Sequence, residues 1–561
     1  MSRSGLLNVC LFLTLSGLPF RAAETISGPE GAPQALAPRL AQLGLGSDEY
    51  AVQEVTTDPD GARHVRIQQR YRGLRVWGGQ LILHLAPDGS ERPATDALVR
   101  GIQLDTQPNL DAAEALAVTH DREGPQGVYA RPPTTELVVY SSRTLEHRAG
   151  GGTNARDFAP RILRHHLAYH IHLELRNGSP ETRQDDYLVD AHTGAILRKW
   201  STLLTLKAQG KSANTTGQSQ YSGQVQLGSL QADCGFVMSD PTRNFISTRD
   251  LAGQTGGEGS LYVSQEDSWG DGANYDPGRG TRSRNGQTAA VDAHFGLQTT
   301  WDFYHNVLGR NGIDGKGRPA YNLVHYASGF DNAFWDDGCF CMTYGDGDTF
   351  KSVTCLDVVG HEVSHGLCSA TAGLVYEGES GGLNEASSDI FGTLVQLYGT
   401  AGRGQGATVP ESGARWTIGA DLETPLFPRP LRYMYKPSLD GSSPDAWSPD
   451  LDELDVHHSS GPMNRAFYFL SQGASADKAD DTYSDYLPKG MRGIGNDKAL
   501  RIWWRTLSTY LTPTSGYLDA RRGCIRAAAD LFGPAGPEAC AVRQAFHGIN
   551  VDDRNSRVSP Y

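Results

Sequence analysis

The chain has 561 residues, too many for one ordinary domain, and its 38% hydrophobic and 20% charged content is that of globular protein, not of a disordered polymer. A net charge of −14 leaves no basic footprint for nucleic acid and favours solubility. The 66 glycines point to many loops and turns rather than a helical bundle.

Residues 1–23 read as a secretory signal peptide: Arg3 gives a positive start, Leu6 to Phe20 are mostly apolar, and Ala22-Ala23 offers a small-residue cleavage site. Asn8, Ser16, Gly17 and Pro19 break that stretch, which is too short to span a bilayer. No other segment approaches a membrane span, so a secreted, extracellular product is expected. Residues 24–204 contain a single Lys, Lys199, and no Cys. Strand alternation runs through Val76–Leu85 and Leu137–Tyr140, and Tyr187–Lys199 reads as strand, Thr-Gly turn, strand. Residues 207–223 form a polar Gly- and Ser-rich stretch, and a processing boundary is expected near residue 205.

From Val225 to about Gly286 the pattern is that of short strands among loops. Helical periodicity follows at Ala290, Leu297, Trp301, Tyr304 and Leu308. It returns at Leu356, Val359, Val363 and Leu367, then from Leu383 to Leu397, and again around Leu500–Leu507. The expected fold class is therefore α+β, with a strand-rich half before a helical half. Seven cysteines follow the signal: Cys234, Cys339, Cys341, Cys355, Cys368, Cys524 and Cys540. Their spacing alone does not assign bridges, and an odd count leaves at least one without a partner in the chain.

Chemistry concentrates in Cys355–Ala370, which contains His361-Glu362-Val363-Ser364-His365. Residues four apart share a helix face, so the two imidazoles can hold one metal while Glu362 reaches a neighbouring water as general base. The motif alone also arises by chance. Twenty residues on, Glu385 lies in a second helical run, Asn384 to Asp389, and two His plus one Glu is a ligand set that leaves a zinc position open. Asp389, one turn beyond Glu385, can accept a hydrogen bond from a ligand imidazole, and Asn384 flanks the same ligand. Gly378-Glu379-Ser380-Gly381-Gly382 also fits a serine-nucleophile elbow, but no strand–helix alternation surrounds it. Its glycines are expected instead to form the turn between the two metal-bearing helices.

HEVSH followed by AGLVYEGESGGLNEASSDIFGTLV closely resembles the thermolysin family of zinc metallopeptidases. The resemblance extends through Asp292–Tyr304, Val324–Trp335, Tyr344–Asp348, Val456–Leu470 and Leu511–Thr514, covering essentially all of 205–551. It implies a two-lobed peptidase with zinc in the cleft. A strand-rich N-terminal lobe over 205–375 would be followed by a helical C-terminal lobe over 376–561. Residues 24–204 look like the preceding propeptide, with a fungalysin/thermolysin-type module over 24–105 and a PepSY-like module over 106–204.

Residue by residue, the resemblance implies that His361, His365 and Glu385 bind Zn(2+) and that Glu362 is the base. His457 and Tyr376 match the two oxyanion stabilisers, and Asp452 matches the carboxylate that orients the imidazole of His457. His458 is an adjacent alternative on residue type alone. Asn332 and Ala333 match the segment that binds the substrate backbone, and Arg432 the residue that grips the carbonyl after the scissile bond. Val358, Ile418 and Leu431 match a pocket for a bulky hydrophobic side chain there. Peptide and protein substrates, and the chain's own propeptide as inhibitor and folding aid, are the partners implied.

Departures accompany the match. Ser459 stands where the family often has Asn. Asp357 matches one Ca(2+) ligand, but Gln396, Arg415, Thr417 and Ala420 occupy positions where further carboxylates would be expected, which weakens the case for calcium there. Cys339-Phe340-Cys341 is unlike the better-known members, and Cys524–Cys540 is the favoured disulfide. A catalytically inactive binding protein on the same fold is the rival reading, and every expected catalytic position being filled weighs against it.

Overall fold

The computed structural model describes residues 24–27, 40, 49–58, 60–123, 128–147, 154–176, 183–201, 211–232, 235–401, 404 and 406–553. The expected signal peptide, the expected boundary near 205 and Cys234 lie outside the described residues.

The first part of the chain builds one nine-stranded sheet. Its strands are β1 (Glu24–Ser27), β2 (Tyr50–Thr57), β3 (Arg63–Tyr71), β4 (Leu74–Leu85), β5 (Glu91–Asp96), β6 (Val128–His147), β7 (Phe158–Arg176), β8 (Arg183–Asp190) and β9 (Ile196–Ser201). The order is β1-β2-β3-β4-β6-β7-β8-β9, with β5 on β4. Neighbours pair antiparallel except at the β4–β6 junction, where Arg75 and Val76 lie parallel to Val138 and Val139. That junction fuses the two expected modules into a single sheet. Helix α1 (Ala112–Glu123) packs against β6, β7 and β8.

The second part opens on strands β10 (Lys211–Ser219) and β11 (Gly223–Ala232), an antiparallel hairpin within a five-stranded sheet. This is a correction to the sequence reading, in which 207–223 was only a polar stretch. The inner face of β10 is made of Thr215, Gly217 and Ser219, so no hydrophobic alternation marks it. Gly217 leaves room for Val291, which a side chain at 217 would meet. A six-stranded sheet follows, containing β12 (Ile246–Asp250), β13 (Tyr321–Val324), β14 (Ala333–Asp336) and β15 (Cys341–Tyr344). Within it β12, β13 and β15 run parallel, and β14 closes one edge antiparallel to β15.

Behind these sheets runs α2 (Gly286–Asn306), followed by α3 (Leu356–Ser369), α4 (Gly378–Thr400), the four-residue α5 (Val456–Ser459), α6 (Gly461–Gln472), α7 (Asn496–Arg505), α8 (Tyr517–Phe532) and α9 (Pro537–His547). One continuous apolar cluster joins both lobes of this part, from Leu227 and Trp269 through Leu297, Val363 and Phe391 to Trp503 and Phe546. The segment Gly378–Gly382 is not the turn expected from its glycines, because α4 already begins at Gly378. The glycines serve close approach instead: a side chain at Gly381 would strike Val456, and one at Gly382 would strike Ser459.

Cys339 and Cys341 are bridged. The expected Cys524–Cys540 pairing is not formed. Cys524 points into the core of α8, where Thr506 donates to its sulfur at 3.4 Å, whereas Cys540 faces outward from α9. No helix among the described residues is long and apolar enough to cross a membrane.

Candidate metal centre

Two glycines bring the site together. A side chain on Gly392 would strike the backbone of Asp357 and His361, and one on Gly360 would lie 3.0 Å from Gly392 Cα. Helices α3 and α4 therefore touch backbone to backbone, which carries Glu385 within reach of His361 and His365 one turn apart on α3. The two His Nε2 atoms are 3.2 Å apart. Glu385 Oε2 lies 3.5 Å from His361 Nε2, and Oε1 lies 3.4 Å from His365 Nε2. A tetrahedral ion with bonds of about 2.0–2.1 Å has ligand edges of about 3.3–3.4 Å, so the triangle has the size that zinc requires. Glu385 Oε2 is buried with no hydrogen-bond partner, an orphaned acceptor that a cation would satisfy.

The far nitrogens of both imidazoles are held. His361 Nδ1 lies 2.7 Å from Asp389 Oδ1, while His365 Nδ1 lies 2.8 Å from Asn384 Oδ1 and 3.1 Å from Ser388 Oγ. This directs each Nε2 toward the shared centre. Asp389 also accepts from Arg432 at 2.6 and 2.8 Å and from Asn464 at 2.7 Å. Burial works against its charge, yet Arg432 and His361 hold its carboxyl far below the usual range. Burial likewise opposes the charge on Glu385, and His457, His361, His365 and Arg432 hold it down at about 2. Glu362 differs: burial pushes it up to about 7, with His361 opposing and Glu385 adding to the rise.

Across the centre, the Tyr376 hydroxyl donates to Glu385 Oε1 and lies 3.4 Å from His457 Nε2, which is itself 3.6 Å from Glu385 Oε1. His457 is therefore the histidine brought to the ligands, and the adjacent His458 shares the cavity wall. Asp452 does not hold His457. Asp455 does, with Oδ1 at 2.7 Å from Nδ1. Asp455 is the N-cap of α5, accepting from the His457 amide at 2.9 Å, and this turns its carboxylate back onto the ring. Asp452 instead accepts from the Glu379 amide at 3.1 Å, in the first turn of α4. It lies against Gly378, whose φ of +55° and lack of Cβ allow that approach. An Asp two residues before a candidate His, at the start of a helix, was the signal available in the sequence.

A cavity of about 890 Å³ opens over the centre. Asn332, Ala333, Val358, Ile418, Leu431, Arg432, Tyr376, Asn384 and His457 all line it with His361, Glu362 and His365, whereas Glu385 and Asp389 are buried behind that surface. Sequence reasoning missed Phe334, Trp335 and Asp337 on the same wall, and Trp77 and Asp186 contributed by the first sheet. At Asp357, the buried carboxylate accepts from the Gly419 amide at 2.8 Å, and Arg415 pairs with Asp421 at 2.5 Å. A second cluster of ligand-type residues, Asp336, Cys339 and Cys341, has its two sulfurs engaged in the disulfide.

Residues 214–369 match the profile of the thermolysin metallopeptidase catalytic domain, residues 372–551 that of the thermolysin metallopeptidase alpha-helical domain, and residues 48–90 the fungalysin/thermolysin propeptide motif. A transglutaminase-activating metalloprotease of Streptomyces mobaraensis is 38% identical over 92% of this chain, which spans 62% of that relative's length. The thermostable neutral protease NprT of Geobacillus stearothermophilus is 33% identical over 91% of this chain and 87% of its own. A thermolysin of Alicyclobacillus acidocaldarius subsp. acidocaldarius is 33% identical over 88% of this chain and 84% of its own.

Proposed function

The chain belongs to the thermolysin family of zinc metallopeptidases, and from that premise we propose that it is the precursor of a secreted neutral endopeptidase. The observation that carries the reading is the triangle of His361, His365 and Glu385 atoms at 3.2–3.5 Å. Zinc, when bound there, supplies a Lewis acid beside the scissile carbonyl.

The chain's own residues supply the rest. Strand β14 lies at a sheet edge, so a peptide can add to it as a further strand, with Asn332 and Ala333 offering backbone hydrogen bonds. Glu362, lining the cavity beside His361 and His365, is placed to take a proton from an attacking water and return it to the leaving amine. Tyr376 O–H and His457 Nε2–H donate to the oxyanion that forms at the carbonyl. Asp455, accepting from His457 Nδ1, fixes the ring so that Nε2 points into the cleft. Arg432, anchored on Asp389, faces the carbonyl after the scissile bond, and Val358, Ile418 and Leu431 receive a bulky hydrophobic side chain beside it. No calcium is assigned at Asp357, because the Arg415 cation already pairs there with Asp421.

Residues 24–204 act as propeptide. Trp77 and Asp186 stand in the cavity wall, which supports a cleft obstructed until this segment leaves. The full-length chain, expressed and matured, is expected to contain one zinc and to cleave a peptide with Phe or Leu after the bond. 1,10-Phenanthroline should stop the reaction and added zinc restore it. Activity that survives chelation but yields to a serine-directed reagent would overturn the reading.

A further inference from the structure

The tight loop between β14 and β15 has no role in the chemistry above, yet it stands against the catalytic helix. Cys339 and Cys341 flank Phe340, and their disulfide closes the loop across a Cα separation of 5.0 Å. Phe340 has φ +60°, a left-handed conformation that bulky residues rarely adopt without outside constraint. Its amide donates to Asp336 O at 2.8 Å, and its buried ring packs edge-on against Trp335 with centroids 5.1 Å apart. Arg318 lies over that ring, 4.5 Å from its centroid, and donates to Gly338 O at 3.1 Å.

Trp335 in turn packs against α3. A side chain at Gly366, next to His365, would strike the Trp335 ring at 2.4 Å. The indole N–H donates to Asp337 Oδ1 at 2.9 Å, and Ser369 in the last turn of α3 donates to Asp337 Oδ2 at 2.6 Å. Trp335, Asp337 and Ser369 all line the cavity. Val358, in the pocket proposed for the residue after the bond, lies in the first turn of the same helix. From Val358 to Ser369 is about 16 Å along the axis, with the two His between them. The Trp335 wall thus faces the part of a substrate on the other side of the scissile bond.

We propose that the Cys339–Cys341 disulfide and Phe340 are positioning residues: they hold Trp335 against α3 and so set the subsite for the substrate residues that precede the scissile bond. The inference rests on the peptidase reading of this site. The loop touches none of the reacting atoms, so it acts on how an extended substrate binds and leaves the chemical step alone.

The test uses zinc-loaded enzyme matured from the full-length chain and two quenched-fluorescence peptides with Leu after the bond. One carries a single blocked residue before the bond, and the other carries four. Reduction with a phosphine, which converts the disulfide to two thiols as the phosphine takes up oxygen from water, should raise KM for the long peptide about tenfold. It should leave kcat for both peptides, and KM for the short one, within twofold. Cys339→Ser/Cys341→Ser should behave like the reduced protein and no longer respond to phosphine. Phe340→Ala reports the same wall without touching a cysteine, should the double variant fail to fold. Trp335→Phe should be non-additive with the cysteine pair. Equal losses on both peptides, or no change on either, would overturn the proposal. An untreated enzyme that cleaves neither peptide would instead sink the reading of the site itself.

Discussion

The nine-stranded sheet and the peptidase body differ in how they are held. The body has one apolar cluster that runs through both lobes and packs the helices carrying His361, His365 and Glu385 from behind. The sheet has several small clusters of three to eight buried residues. The segment that builds it, residues 24–204, also holds nine of the seventeen histidines in about a third of the chain. The seam between them joins a small apolar contact, Ala155 and Phe158 against the body's cluster, to several polar pairs. Arg505 reaches Asp58, His64 and Asp530, Arg66 donates to Leu511 O, and Asn154 meets Asn550 and Asp552. Polar contacts of this kind can be exchanged for water without opening the body's core, whereas the buried charges around the metal centre have no such alternative. The difference marks the sheet as the separable part and the body as the part that must stay intact.

The largest expected effect tests the autonomy of the chemistry. Glu362→Gln removes the proposed base while keeping its shape, and should lower kcat/KM by about 10²–10⁴-fold. Zinc content and the thermal midpoint should not change. A comparable loss from Arg505→Ala, at the seam, would break the distinction drawn above, because that side chain should affect only how the sheet is held.

Next in size is a pH effect confined to the seam. His64 and His84 face each other with Nδ1 atoms 2.7 Å apart, so one ring must donate and the other accept. Asp58 and Thr95 face them from the sheet, and Arg505, Tyr510, Arg526 and Asp530 from the body. Burial lowers His84 to about 2, with His64, Arg526, Arg505 and Arg66 adding to the shift. A histidine depressed in the docked state binds fewer protons there than when released. Its contribution is fully present above about pH 6.5 and is lost as pH falls below that value. Asp58 shifts the same way: although burial opposes its charge, His64 and Arg505 hold its carboxyl far down, so its contribution fades with acid too. Both groups should therefore weaken the hold of the sheet as the pH falls from 7.5 to 5. Calorimetry of the Glu362→Gln precursor should show the transition of the sheet falling between pH 7.5 and 5. His84→Phe should flatten that fall, and an unchanged slope would remove the pair from the account.

Legibility followed the range of the interactions. The pair His361 and His365 is a local, one-turn relation, and Glu385 with Asp389 is another, so periodicity alone suggests each face. That the two faces meet depends on Gly360 and Gly392, whose contact is tertiary and silent in either helix pattern. Strand β10 escaped notice because its buried positions are hydroxyls and a glycine. The glycines at 378–382 looked like a turn, but serve to admit Val456, Ser459 and Asp452 against the start of α4. Cys524 and Cys540 failed as a pair because their helices turn one inward and the other outward.

Asp452 and Asp455 make the smallest and most discriminating comparison, since both are acidic, three residues apart and close to His457. Asp455 acts on the ring, so Asp455→Asn should lower kcat about tenfold and change the pH profile of kcat. Asp452→Asn should leave that profile alone. Its carboxylate accepts from the amide of Glu379 at the positive end of α4, and weakening a helix cap costs about 1 kcal/mol. For a body of this size that amounts to a drop of about 1–2 °C in thermal midpoint, without change in KM or zinc content. If the two variants exchanged these phenotypes, the orienting carboxylate would be Asp452 after all, and the cap geometry at Val456–Ser459 would have to open in the working enzyme to let it reach the ring.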